Sequence, residues 1–230
     1  MRHSPVQQFQ MVRTIEHLCS LPLFMGISHS DMNEIIGKVR FDFQKYTSGT
    51  TVCDIHQINN AIYFLTEGTL EVSRFNENNT ILFVERLNSP SIIGAEELFG
   101  ISHSFEHRYK AHTDCRFIII DKKEISSKLL NYEIFRLNFI NHLSLLEQRR
   151  MRMLHESLAD NLKQRFIQYL RHNFLYPAGQ KWIKCKQKDL ASALLTNEKK
   201  LCALLKEMEK EHLIDNRRTI IDIPAFQKLI

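Results

Sequence analysis

Two short amphipathic segments separated by only two residues leave this chain few ways to fold. Residues 188–195 place Leu190, Ala191 and Leu194 on one helical face, and residues 197–210 do the same with Leu201, Leu204, Leu205 and Met208. Thr196 and Asn197 stand between them, and both residue types start helices by capping free backbone N–H groups. Helices that cross this steeply must approach closely, and Ala191 is the small side chain that allows it. The pattern is that of a helix-turn-helix, whose second helix is shaped to lie in a DNA major groove. Plain helical packing gives the same spacing, so further features must decide. Residues 213–223 alternate toward strand character on both sides of Asp215-Asn-Arg-Arg218, which predicts a hairpin, or wing, with Arg217 and Arg218 at its tip. Residues 151–230 hold 15 Lys and Arg against 9 Asp and Glu, whereas residues 1–150 hold 16 against 17. The basic excess therefore sits where a phosphate backbone would need it, although a solvated face would carry it too.

The remainder of the chain sets a frame around that segment. A length of 230 residues allows one or two domains, each with a buried core. No apolar run approaches the roughly 20 residues of a membrane span, so no membrane partner is expected. The first ten residues lack an apolar signal core. The five cysteines, at positions 19, 53, 115, 185 and 202, have no metal-type spacing. Reduced thiols in the cytoplasm are the expectation.

Helices are predicted over 7–19 and 29–38, with Ser28 or Ser30 capping the second. Between Phe41 and Asp121 the apolar period falls to two, giving strands at 41–46, 61–66, 69–75, 80–87 and 116–120. Turn signals separate them at Ser48-Gly49, Glu67-Gly68 and 76–79. Short strands so spaced predict a small barrel or double-sheet jelly roll. From Tyr132 to His155 the pattern is helical without Pro or Gly, and more apolar than one face requires. Such a helix calls for two partners: its own roll and the same helix of a second copy, a coiled-coil-like dimer seam. Packing within one chain is the alternative.

Roll, long helix and wing, in that order, resemble the cyclic-AMP receptor and fumarate-nitrate regulator (CRP/FNR-type) family of bacterial transcription factors. Leu23-Phe-Met-Gly-Ile-Ser28, Tyr46-Thr-Ser-Gly-Thr-Thr-Val52 with 62–72, residues 111–121, and Asp189-Leu-Ala191 with Leu201 and 204–206 are similar to its motifs. The resemblance implies an α+β chain: an N-terminal β-roll (double-stranded β-helix, cyclic-nucleotide-binding-like) over 1–131, a dimerisation helix over 132–157 and a C-terminal winged helix-turn-helix over 158–230. It implies a homodimer through residues 132–155 that binds double-stranded DNA. RNA polymerase and a small-molecule effector would be further partners.

In family members that bind cyclic nucleotides, a Gly-Glu-Leu glutamate holds the ribose and an Arg-Ser or Arg-Thr pair grips the phosphate, a task suited to the planar guanidinium. Here the first element reads Ile93-Gly94-Ala95-Glu96-Glu97-Leu98, with Ala95 in place of the glutamate. Phe105-Glu106 stands at the Arg position, and Arg108 is three residues out of register. The candidate effector pocket, Gly94 to Leu98 with Phe105 and Glu106, is therefore expected to refuse cyclic AMP. In the reading head, Glu198 and Ala203 replace two arginines, Lys199 replaces a glutamate, and Leu195 stands where a turn glycine is usual. Leucine adopts a left-handed backbone only at a cost, so either a differently built turn or a second helix that starts slightly earlier is expected. The DNA-contacting candidates are Lys199, Lys200, Thr196 and Asn197 on or before the second helix, with Lys186, Lys188, Arg217 and Arg218 on phosphates.

No cofactor is expected. An iron–sulfur cluster needs about four grouped thiolates, and only Cys19 lies near the N-terminus. His103, His107 and His112 read as loop or surface histidines and Cys115 as a buried strand thiol. No phosphate loop, carboxylate pair or serine elbow is present, so no catalytic residue is expected. A transcription regulator is thus set against a small-molecule-sensing module whose winged helix mediates protein contacts, and an enzyme using Cys53 or Cys115.

Overall fold

The computed structural model describes residues 18–155 and 159–229. The helix expected at 7–19 lies outside them except for Leu18 and Cys19, which are helical. In chain order the elements are α1 (His29–Lys38), β1 (Asp42–Tyr46), β2 (Thr51–Cys53), β3 (Ala61–Glu67), β4 (Thr69–Phe75), β5 (Leu82–Asn88), β6 (Ser91–Ile93), β7 (Arg108–Ala111) and β8 (Cys115–Asp121). There follow α2 (Lys122–Ser127), α3 (Glu133–His155), α4 (Leu162–Asn173), β9 (Lys181–Lys184), α5 (Gln187–Ala193), α6 (Glu198–Lys210), β10 (Asp215–Arg217) and β11 (Ile220–Ile223). Contacts divide the chain into two units. One holds Met1–Thr69, Asn88–Phe105 and Ala111–Gln148; the other holds Leu70–Leu87, Glu106–Lys110 and Arg149–Ile230.

The first unit is built on an antiparallel sheet of order β1-β8-β3-β6. β3 and β8 are its central strands, and Phe117 to Ile120 are buried in succession because both faces of β8 are covered. Ser28 caps α1 by accepting from the Asp31 N–H at 3.1 Å, as one of the two expected caps. Leu21, Leu23 and Phe24 are fully buried with Ile62, Phe64, Ile118 and Ile120. Phe135 and Phe139 from α3 join that cluster, and the Phe24 and Phe135 rings meet edge-on at 5.1 Å. Asn138 ties the same helix down by donating to the carbonyls of Leu23 and Met25 at 3.2 and 2.8 Å. Phe135, Phe139 and Leu143 are spaced by four and share the inward stripe. Ile134, Leu137, Ile140 and Leu145 lie on the opposite arc, 38% to 54% exposed.

The second unit contains the sheet order β10-β11-β9-β5-β4-β7. β10 and β11 form the hairpin read from the sequence, and β11 pairs with β9 from Ile220↔Lys184 to Ile223↔Lys181. The other edge of β9 pairs antiparallel with β5, from Leu82↔Lys184 to Glu85↔Lys181. Alternation along these strands sends Phe83, Ile183 and Ile221 inward, where they meet Phe166 and Leu170 of α4 and Leu201, Leu204, Leu205 and Met208 of α6. Leu190, Ala191 and Leu194 close the same core, as their spacing predicts. The chain as a whole is thus α+β, with an antiparallel, jelly-roll-like strand arrangement over the region read as a roll.

Candidate functional site

α5 and α6 are shorter than the sequence reading had them, and four residues, Leu194 to Asn197, join them instead of two. The joint closes α5 with two bonds: Thr196 N–H to Ala191 O at 3.0 Å and Leu195 N–H to Ser192 O at 3.1 Å. This pairing needs a left-handed residue at its centre, and Leu195 supplies it at φ +51°. The expectation that leucine would force another turn or an earlier second helix is corrected, since α6 starts at Glu198: the Leu195 side chain is 70% exposed, so only the local backbone cost opposes it, and the pair of bonds outweighs that cost. Asn197 caps α6 by accepting from Lys200 N–H at 2.9 Å, whereas Thr196 does not cap.

One residue that the sequence reading missed braces this joint. Arg165 of α4 donates to Leu194 O at 3.0 Å and, more weakly, to Leu195 O at 3.4 Å. It also donates to Ala159 O and Asp160 O at 3.1 and 3.3 Å. A guanidinium can serve several carbonyls at once because its donors lie in one rigid fork. The signal in the sequence was faint: an arginine on a helix reads as a solvated charge until the carbonyls it meets are known.

With its apolar stripe inward, α6 turns Lys199, Lys200, Ala203, Lys206 and Glu207 to the surface. Lys186 and Lys188 at the start of α5 are exposed as well, and so is Lys184 at the end of β9, which was not anticipated. Lys199 and Lys200 sit in the first turn of a 13-residue helix, where the macrodipole disfavours cations by about 0.3–1 kcal/mol each. An approaching phosphate would relieve that penalty. Beside them a groove of about 350 Å³ is lined by Asn161, Lys163, Lys200, Ala203 and Glu207. At the hairpin the two expected tip arginines part company. Arg217 lies on β10 and donates to the Asp215 carboxylate at 2.9 and 2.6 Å, which holds its pKa above the usual value; Arg218, at φ +38°, is the exposed tip.

In the first unit, the residues read as an effector pocket divide by burial. Gly94, Ala95, Glu97, Leu98 and Phe105 are buried, Glu96 is half-buried and Glu106, which falls in the second unit, is exposed. Gly94 takes φ +81°, and a Cβ there would meet Asn59 Nδ2 at 2.8 Å and Phe105 Cε1 at 3.2 Å. Asn59 fixes the strand end by donating to Gly94 O at 2.6 Å and accepting from Ala61 N–H at 3.1 Å. Phe105 is 1% exposed, its ring edge-on to Tyr63 at 6.0 Å, with backbone bonds to His56 and Gln57. The position expected to offer a phosphate-gripping arginine is thus filled by a packed aromatic ring. The only charged side chains of the seven, Glu96, Glu97 and Glu106, are carboxylates.

The two thiols weighed as nucleophiles are buried. Burial pushes Cys53 up to about 12 despite a hydrogen bond from Tyr63, and burial also raises Cys115. Neither is a thiolate near neutral pH, the form nucleophilic chemistry requires. Among the described residues no group of three or more His, Cys, Asp or Glu is placed to hold a metal ion, and no helix is long and apolar enough to cross a membrane.

Residues 43–132 match the family model of the cyclic nucleotide-binding domain. No curated protein matches the chain. Among solved structures it is similar to the catabolite activator protein of Thermus thermophilus at 14% identity and TM-score 0.46, over 90% of this chain and 96% of that one. It is similar to the c-di-GMP-responsive global regulator CLP of Xanthomonas campestris at 15% and 0.48, over 86% and 99%. The sensor domain of the regulator DNR of Pseudomonas aeruginosa gives 19% and 0.48, over 63% and 99%.

Proposed function

We propose that this chain, which carries a cyclic nucleotide-binding-type domain over residues 43–132, is a homodimeric transcription regulator of CRP/FNR type that binds double-stranded DNA through α5 and α6. The observation that carries the reading is α6 itself, a capped helix with its apolar stripe buried and Lys199 and Lys200 exposed at its first turn. Those lysines and Asn197 would meet the major groove. Lys186, Lys188, Lys206 and Arg218 would neutralise phosphates, and Thr196 would lie at the groove's edge. Arg217, held by Asp215, contributes less than its position in the sequence suggests.

The second copy is the partner that suits the outward stripe of α3, since Ile134, Leu137, Ile140 and Leu145 expose apolar surface along one arc of a 23-residue helix. Two such copies carry two reading helices, which suits a palindromic site. Cyclic AMP is not the effector this reading favours, because a buried Phe105 stands at the sequence position where the resemblance calls for a phosphate-gripping arginine. Any effector would act by preferring one of two dimer states. RNA polymerase and a cytoplasmic setting belong to the same reading.

Selection of bound duplexes from a random pool, followed by a salt titration of the winner, tests it. Six to ten phosphate contacts predict a loss of about 10³–10⁵ in affinity between 50 and 200 mM salt. Weak binding to every duplex with no salt slope would favour the protein-contact module instead.

A further inference from the structure

Strands β4 and β5 lie within the segment that matches the cyclic nucleotide-binding domain, yet they are built into the unit that carries α5 and α6. The chain passes between the two units at 69/70, 87/88, 105/106, 110/111 and 148/149. The crossing within α3, at 148/149, is therefore one of five covalent routes between them. β5 pairs with β9 over four residues, and Ile81 and Phe83 sit in one core with Leu201, Leu204, Leu205 and Met208 of α6. The Phe83 ring meets Tyr169 at 5.8 Å and Phe174 at 5.6 Å. Arg74 of β4 donates to Asn173 at 3.2 Å, and Arg86 lies 4.9 Å over the Trp182 ring.

At the centre of this junction is a buried ion pair. Glu85 is 3% exposed and Lys181 fully buried. The Glu85 carboxylate accepts from Lys181 Nζ at 2.5 Å, from Leu175 N–H at 2.7 Å and from Tyr176 N–H at 3.2 Å. The ammonium is walled by the rings of Phe174, Tyr176 and Phe226 at 5.5, 5.8 and 6.0 Å. Such a pair adds little net stability, because desolvation offsets its attraction, but it permits one register only. A one-residue slip of β5 would turn Glu85 outward and bring Phe83 out of the core.

We infer that the β4–β5 hairpin is a structural part of the unit that carries α6: it completes the sheet and core beneath that helix, and Glu85 with Lys181 are the positioning residues that fix its register and thereby the attitude of the DNA-reading helix within that unit. The DNA arm of this inference rests on the function proposed above; the packing arm does not.

Both arms are tested on the full chain. In Glu85→Gln and in Lys181→Met, amide exchange at 82–87, 181–184 and 220–223 should quicken together by at least tenfold, with β3 and β8 unchanged. Affinity for the selected duplex should fall at least tenfold in the same variants. A cross-strand cysteine pair, Leu82→Cys with Lys184→Cys, should close on mild oxidation in the otherwise native chain. Introduced into Glu85→Gln, the closed bridge should return DNA affinity to within threefold of that of the same closed bridge in the otherwise native chain, and reductant should abolish that rescue. Exchange at 181–184 and 220–223 within twofold of native in both single variants would overturn the inference, as would a cysteine pair that never closes. Restored packing without restored affinity would overturn the positioning role. If the native chain selects no duplex at all, the proposed function fails while the exchange and cross-linking results still decide the hairpin's part. Should Glu85→Gln not fold, Lys181→Met and the cysteine pair in the native background decide it.

Discussion

His107 should make this protein sensitive to mild acid, and the size of the effect can be worked out. The residue is 6% exposed, its Nε2 has no hydrogen-bond partner among the described residues, and its ring lies 6.3 Å from Tyr109. Burial above all, then the guanidiniums of Arg74 and Arg150, hold its pKa down to about 4 from 6.5. Between those two values the unfolded chain takes up the proton and the folded chain does not. Stability therefore falls as pH falls from about 6.5 to about 4. The full difference is about 3 kcal/mol, since a tenfold change in proton affinity is worth about 1.4 kcal/mol, and about 2 kcal/mol of it is lost by about pH 5. For a chain of this length that loss lowers Tm by about 4–8 °C. Thermal or urea unfolding followed in steps from about pH 7.5 to 4.5, on native protein and on His107→Gln, isolates the contribution because glutamine does not titrate. The native curve should descend relative to the variant's across that window. Parallel curves would refute the reasoning, and so would a native curve that gains on the variant as acid is added.

Three further outcomes concern the joint and the proposed dimer seam. At Leu195, held at φ +51° with its side chain 70% exposed, Leu195→Gly should be more stable than Leu195→Ala by about 0.5–1 kcal/mol, reversing the usual helical order; equal stabilities in urea would count against the left-handed joint. Arg165→Gln should lower Tm by several degrees and quicken amide exchange at Leu195 and Thr196, since four carbonyls lose a charged donor; a local exchange pattern identical to native would remove its bracing role. Ile140→Glu, on the outward arc of α3, should convert the dimer to monomer in sedimentation with circular dichroism unchanged; a dimer that persists places the seam elsewhere.

What could be read from the sequence was what depends on near neighbours. The period of two revealed β1, β3, β4, β5 and β8, and the period of 3.6 revealed the buried stripes of α5 and α6 residue by residue. Asn197 and Ser28 were legible as caps because a cap acts over two or three residues. The strands that escaped, β2, β6, β7 and β9, are three or four residues long, too short for a period to establish itself. β9 in particular owes its place to partners far along the chain: Glu85 and Lys181 are 96 residues apart, and no local pattern joins them. Assignment of the hairpin to the α6 unit was invisible for the same reason. At Leu195 the residue type argued one way and the two closing bonds prevailed; at Arg217 the ion pair with the neighbouring Asp215 is a partner that counting charges does not reveal.

The most direct measurement is the affinity of Lys199→Ala/Lys200→Ala for the duplex that the native protein selects, taken beside its affinity for unrelated DNA. Both lysines are exposed, so the pair of changes should leave the fold and the proposed dimer intact. Preference for the selected duplex should vanish, leaving weak, salt-sensitive binding to any sequence. A doubly substituted protein that still tells its own site from others as well as the native chain does would contradict the assignment of α6 as the reading helix.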